Sequence, residues 1–387
     1  MHRIIRSSPV VLAVVLVSLG LTACNSATST TSEENPGVSE QADAALAALE
    51  GQVLSRGPHG EEASPVSSAE LTDEQVAQVR ELGATAAIVL HYGGNDWANA
   101  QVDGLRTRFE ELGIDVVAVT DADFNPDTQV SDIETVMSLN PDVMISIPTN
   151  PVATASAYQR VADAGVELVF MDNAPQGLVA GEDYASVVSA DNYGNGVVSA
   201  HLLARALGGE GEIGLIYHEA DFFVTAQRYE AFKTTIEEDY PDITIVEETG
   251  IAGPDFASDG EAAASAMITQ NPNLAGLWAV WDVPAEGALA AARASGRTDL
   301  NIVTEDLGTN VAIALAKDEM IVGLGAQLPY DQGVAEANLA ALALLGEDTP
   351  PYVAVSALPV THDNVLEAWE QVYHSEPPAS VRDSYTD

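Results

Sequence analysis

Short runs of Val, Ile, Leu and Ala recur from Thr85 onward, each bounded by turn residues and separated by segments with helical spacing of apolar positions. Ten runs read as strands. Thr85–His91, Asp115–Thr120, Asp142–Pro148, Glu167–Asp172 and Ser186–Ala190 form one series. Glu212–Tyr217, Ile243–Glu247, Leu274–Trp281, Asn301–Thr304 and Ile321–Ala326 form a second. Near-continuous apolar runs mark strands covered on both faces, as in parallel sheets flanked by helices. The intervening segments carry helix punctuation. Asp96 is expected to cap a helix with the stripe Val102, Leu105, Phe109 and Leu112, closed by Gly113. Pro151 suits a first helical turn that ends before Gly165, and Asn310 and Asp331 are expected as further N-caps.

This alternation predicts an α/β protein of two doubly wound parallel-sheet lobes joined by a multi-strand hinge. An internal echo supports two lobes of one construction. Asn140-Pro141 precedes the strand at Val143, and Asn271-Pro272 precedes the strand at Leu274. The expected division is 84–190 plus 328–357 for the N-terminal lobe, 191–327 plus 358–376 for the C-terminal lobe, and 377–387 as a tail. Hinge crossovers are expected near Asp191, Leu328 and Thr361. In such sheets ligands bind beyond the carboxyl ends of the strands, so two facing lobes would share one cleft.

The first residues are a targeting segment and stand outside the fold. Arg3 and Arg6 precede an apolar run, Pro9 to Leu21, that is too short to span a bilayer at about 20 residues. It ends in Leu21-Thr22-Ala23-Cys24, the pattern of a bacterial lipobox. Residues 1–23 are therefore expected to be a lipoprotein signal peptide, with lipidated Cys24 anchoring an extracytoplasmic protein to a membrane. No later stretch reads as a membrane span. Residues 24–83 read as an acidic flexible tether with short helices near Glu40–Leu54 and Asp73–Leu82.

Charge narrows the function further. The chain carries 14 Lys and Arg against 59 Asp and Glu, a formal charge of −45. A generic nucleic-acid binder would need a cationic face, so that class is excluded. With one cysteine there is no disulfide framework and no CxxC metal site. The glycines at 208, 209, 211 and 214 follow a helix and precede a strand, the reverse of a dinucleotide fingerprint, and read as a helix cap and turn. No GxxxxGK[ST], HExxH or GxSxG motif occurs, and no histidine pair has metal-ligand spacing. No enzyme, metal or cofactor is expected. His91 and His218 each follow the first strand of a lobe, and both a cleft-wall and a structural role stay open for them.

What remains is a set of polar and aromatic residues at strand ends: Asn95, Trp97, Asp172, Asn173, Arg228, Phe256, Trp281, Asp282, Glu305, Asp306 and Gln327. Rings that cover C–H faces beside groups that satisfy hydroxyls suit a polyhydroxylated ligand.

Val169–Asn173, Ser189-Ala190-Asp191-Asn192 with Gly194 and Gly196, Gln227–Phe232, Asp282–Leu289 and Gly325–Pro329 follow one another in order along the chain. With these segments the chain resembles, over about Thr85 to Leu366, the ribose-binding branch of the type I periplasmic binding proteins that feed ABC importers. The resemblance implies that Asn95, Trp97, Asp172, Arg228, Phe256, Asp306 and Gln327 take ligand positions. There are departures. Asn173 replaces an arginine, Trp281 and Ile147 replace asparagines, Glu305 replaces an aromatic, and Ala98 removes a ring. The expected ligand is therefore richer in donors than ribose, such as a linear polyol, an amino sugar or a small cationic solute, and an anionic sugar acid is disfavoured. The expected partners are that solute and an ABC permease with its ATPase, with the protein itself a monomer. A receptor that reports to a sensor kinase or chemoreceptor through the same cleft is the alternative.

Overall fold

The computed structural model describes residues 36–386 apart from Asp221; the signal segment and Cys24 lie outside the described residues. Helix α1 (Pro36–Leu49) and helix α2 (Asp73–Leu82) precede the first strand. The first lobe then alternates β1 (Thr85–Leu90), α3 (Asp96–Leu112), β2 (Asp115–Asp121), α4 (Pro126–Met137), β3 (Val143–Ser146), α5 (Ala155–Asp163), β4 (Glu167–Met171) and β5 (Ser186–Ala190). The second lobe runs α6 (Asn192–Leu207), β6 (Gly211–His218), α7 (Phe223–Asp239), β7 (Ile243–Ile251), α8 (Phe256–Gln270), β8 (Leu274–Ala279), α9 (Asp282–Ala294), β9 (Asn301–Glu305), α10 (Thr309–Ala316) and β10 (Ile321–Ala326). The chain returns to the first lobe for α11 (Pro329–Leu344) and β11 (Tyr352–Val355). It finishes on the second with β12 (Leu358–Val360), α12 (Val365–Tyr373) and α13 (Ala379–Arg382).

Each lobe has a six-stranded sheet, ordered β11-β5-β4-β3-β1-β2 in the first and β12-β10-β9-β8-β6-β7 in the second. All pairings are parallel except β10 with β12. The two expected doubly wound lobes are therefore present. The central strands carry apolar residues on both faces. In β1, Ala86, Ile88 and Leu90 join one buried cluster while Ala87 and Val89 join the other. The edge strand β2 departs from that reading: it alternates exposed and half-buried positions, and Val117 and Val119 face outward. The second lobe closes over one larger core that includes Trp278 and Phe232, whose rings stack at 5.1 Å. Each such fully buried side chain contributes on the order of 1.5–3 kcal/mol.

Several local expectations are corrected. Asn95, one residue earlier than Asp96, caps α3 by accepting from the Ala98 N–H at 2.7 Å. Asn310 and Asp331 lie inside the first turns of α10 and α11, whose caps are Gly308 and Leu328. The helix expected at Pro151 starts at Ala155, after a turn held by the Asn150 side chain. Gly208 closes α6 in the left-handed conformation, as the glycine cluster implied.

The chain crosses between lobes at Asp191, at Gln327–Leu328 and at Ser356–Ala357, the last a few residues before Thr361. Residues 36–83 are not a free tether, because they bury apolar side chains on both lobes. Helix α1 lies on α6, with Val38 against Gly209 and an Asp43–Arg205 ion pair at 2.9 Å. Further on, Ser64 pairs in parallel with Val353, and Ala69 and Val79 are wholly buried in the first-lobe core. Between these anchors the Leu54 and Ser55 N–H groups donate to the Asp191 carboxylate at 2.9 and 2.8 Å, and the Tyr193 N–H donates to Ser55 Oγ. This strap adds a fourth link beside the hinge. The tail also packs. Val381 is buried, Thr386 N–H donates to Ala316, and Tyr385 stacks on His362. Among the described residues no helix is long and apolar enough to cross a membrane.

Candidate functional site

The C-terminal ends of both sheets face one cleft. It encloses about 550 Å³ of space between the atoms, part of it open to solvent. Its floor is a hydrogen-bonded chain that crosses the hinge. Asp172 follows β4 and Asp306 follows β9, at corresponding places in the two lobes. Both adopt left-handed backbone, with φ of 56° and 67°, which Asp tolerates better than most residues. That turn aims each carboxylate into the cleft. Ser189 Oγ donates to Asp172 Oδ1 at 2.7 Å, and Asn192 Nδ2 donates to Ser189 Oγ at 3.0 Å. Arg228 Nε donates to Asn192 Oδ1 at 2.9 Å, its Nη1 to Val280 O and Asp306 Oδ2 at 3.1 Å each, and its Nη2 to Asp306 Oδ1 at 3.4 Å. Gln327 Nε2 completes the chain onto Asp306 Oδ1 at 2.7 Å. Arg228 arrives there because α7 starts at the cleft and runs outward from it. The approach of α11 to α3 sets the Gln327 crossover: a Cβ at Gly104 would lie 2.2 Å from Tyr330 O.

The walls are rings. His91, Tyr92, Trp97 and Phe124 come from the first lobe, and His218, Phe222 and Trp281 from the second. They meet across the cleft, where His91 stacks on Phe222 at 5.5 Å and Phe124 lies 6.2 Å from His218. Phe222 and Val224, on the second lobe, are buried in the first-lobe core. Asp96 Oδ2 also accepts the Thr309 N–H at 2.6 Å, so one lobe caps a helix of the other. These contacts define a closed form.

Burial sets the protonation of the site. It lowers His91 to about 3, with His218 adding to the effect, and lowers His218 to about 4, so both imidazoles are neutral at pH 7. Burial raises Asp172 to about 6, opposed by the Ser189 hydrogen bond and Arg228. Asp282 is raised well above the ordinary carboxylate range by burial and then by Asp306 and Glu286. Glu305 is raised to about 8 by burial, with Arg228 and the Ser199 bond pulling the other way.

Eight of the eleven residues singled out from the sequence line this cleft: Asn95, Trp97, Asp172, Arg228, Trp281, Asp282, Asp306 and Gln327. Three do not. Glu305 is the last residue of β9, and strand alternation turns it away from the side that Asp306 reaches. It accepts from Ser199 Oγ at 2.8 Å and Trp278 Nε1 at 3.2 Å, behind Arg228. Phe256 stands behind the wall, 4.8 Å from the Trp281 ring. Asn173 folds back to accept from the Ala174 N–H. Phe124, Phe222, Tyr92, Val224 and Thr225 went unnoticed in the sequence. They sit in loops after β1, β2 and β6 or in the first turn of α7, and ring residues at those strand ends are the signal that would have found them.

A two-lobed α/β molecule whose paired sheets converge on a polar cleft is built as a solute-binding protein. The family model for the periplasmic binding protein domain matches residues 86–348, and the chain belongs to that family. It is 27% identical over 248 residues to a D-apiose import binding protein of Actinobacillus succinogenes, covering 64% of this chain and 77% of the relative. It is 26% identical over 276 residues to a D-ribose/D-allose-binding protein of Pseudomonas aeruginosa, covering 69% and 83%. An ABC sugar transporter subunit of Rhodobacter sphaeroides aligns with a TM-score of 0.65 at 28% identity, over 73% of this chain and 99% of the other. The family consists of solute-binding proteins of importers, which places this chain outside the cytoplasm.

Proposed function

We propose that this protein captures a small polyhydroxylated solute, a sugar, polyol or amino sugar, between its lobes and delivers it to an ABC permease. The carrying observation is the chain Asp172–Ser189–Asn192–Arg228–Asp306–Gln327. It spans the hinge and places charged and amide groups opposite a wall of rings. The import binding proteins for D-apiose and for D-ribose/D-allose among its relatives support this ligand class. Hydrogen bonds to charged groups contribute about 1.5–3 kcal/mol each. Four or five, less association costs, support binding near 1 μM, about −8 kcal/mol. Lipidated Cys24 is the proposed anchor, the ATPase acts through the permease, and the protein works as a monomer.

The test is thermal unfolding of the chain lacking its first 23 residues, with pentoses, hexoses, polyols, amino sugars and sugar acids. A ligand at 100 times its Kd adds about 2.7 kcal/mol, a clear upward shift. Asp172→Ala and Arg228→Ala should lose the shift while keeping the native circular dichroism. Unchanged affinity in both variants would refute the site, and silence across the panel would refute the ligand class.

A further inference from the structure

We infer that the ligand carries a basic amine, so that within the class proposed above it is an amino sugar or amino polyol rather than its neutral counterpart. This rests on the sugar-receptor reading of the cleft. The charge inventory is lopsided. Asp172, Asp282 and Asp306 all line the cleft, and Arg228 is the sole cationic side chain among the described lining residues, because burial keeps the two histidines neutral. Arg228 has no charge to spare, since its Nε and both Nη groups already serve Asn192, Val280 and Asp306. Asp282 therefore faces the cavity without a cation of its own, and Asp172 shares Arg228 with Asp306.

A second observation is independent of charge. Gln327 is 4% exposed and lines the cleft, yet its Oε1 has no partner, because its Nε2 is spent on Asp306. The floor thus offers acceptors on Asp172, Asp282 and Gln327, with four of the five Arg228 N–H groups engaged, while the partnerless Trp97 Nε1 on the wall is left to donate to a ligand hydroxyl. A buried acceptor left unmade costs about 1–3 kcal/mol, so the occupant should bring donors. An ammonium brings three donors and a charge. The walls favour the same group. The π-faces of Trp281, Phe124 and Tyr92 attract a cation, more strongly once it is desolvated. Burial, then Asp306 and Glu286, raise the Asp282 titration, and an ammonium beside it would favour the ionised form.

The test is titration calorimetry with matched pairs: D-glucosamine and D-glucose, D-galactosamine and D-galactose, and 1-amino-1-deoxy-D-sorbitol and sorbitol. Each is measured at pH 7 in two buffers of different ionisation enthalpy. An amine should bind at least tenfold more tightly than its neutral partner and release a proton as Asp282 ionises. Asp282→Asn should remove the proton release and erase most of the preference. A neutral partner that binds as tightly overturns the amine inference and leaves the sugar receptor standing. No binding by any pair overturns both.

Discussion

Glu305 offers a sharp test of how this site is held. It is wholly buried, its Oε1 accepts from Ser199 and Trp278, and its Oε2 has no partner. Burial raises its titration from 4.5 to about 8. The folded protein therefore keeps it protonated at pH 7, whereas the unfolded chain ionises it above 4.5. Between those two values the unfolded state binds fewer protons, so stability falls as pH rises, by about 1.4 kcal/mol per pH unit. From pH 5 to pH 7 the loss is about 3 kcal/mol. Glu305→Gln mimics the protonated acid and keeps both accepted hydrogen bonds. Its unpartnered amide adds a cost that does not vary with pH. Urea unfolding of both proteins at pH 5, 6, 7 and 8 should show the variant gaining on the wild type by about 3 kcal/mol between pH 5 and 7. Curves separated by a constant offset would refute the reasoning, because they would mean that Glu305 is ionised in the fold.

Three further outcomes are expected. Asp96→Ala removes the cap that one lobe supplies to α10 of the other across the cleft; a cap is worth about 1 kcal/mol, so ligand affinity, which draws on this closed form, should fall about fivefold. Equal affinity would show that Asp96 does not hold the closed form. His91 and His218 are lowered by burial among the rings of Tyr92, Trp97, Phe124, Phe222, Phe256 and Trp281, with Thr225 bonded to His218 and no carboxylate bonded to either. Their contribution is full above pH 6.5 and is lost as pH falls toward 4. The double variant His91→Gln, His218→Gln should flatten that acid limb in thermal unfolding, and parallel curves would refute it. Asp191→Ala removes the carboxylate that holds the strap and the Gly194 N–H, and should lower unfolding stability by about 2–3 kcal/mol; a loss within error would show that the strap carries no load.

The strand-centred half of this molecule was legible because central strands with apolar residues on both faces leave long apolar runs. Ile88, Ile145 and Val169 all fall in such runs. Caps were less legible: Asn95 and Asp96 are adjacent and chemically alike, and only geometry shows that Asn95 closes its own helix while Asp96 reaches the other lobe. The strand ends located Asp172, Arg228, Asp306 and Gln327, helped by the family resemblance. Glu305 was misplaced because a single step along a strand reverses its side. The ring wall was missed because Phe124 and Phe222 sit in loops that carry no periodic signal. The strap was read as a tether because its few apolar contacts, at Val38, Ala69 and Val79, are spread over a long polar stretch.

The interleaved path between the lobes has a consequence for how the protein is made. Ser64 is joined to Val353, about 290 residues later, and β5 gains its outer neighbour only when β11 arrives. Neither lobe is a contiguous stretch, so the first sheet stays unfinished until nearly the whole chain has been synthesised. Pairings this distant close slowly. Until they do, β5 presents an open edge of backbone groups to any other strand. Truncation after α11 would leave that edge bare for good. Overexpressed chains should therefore fail by aggregation through the first lobe, and the four residues of β11 serve to seal that edge.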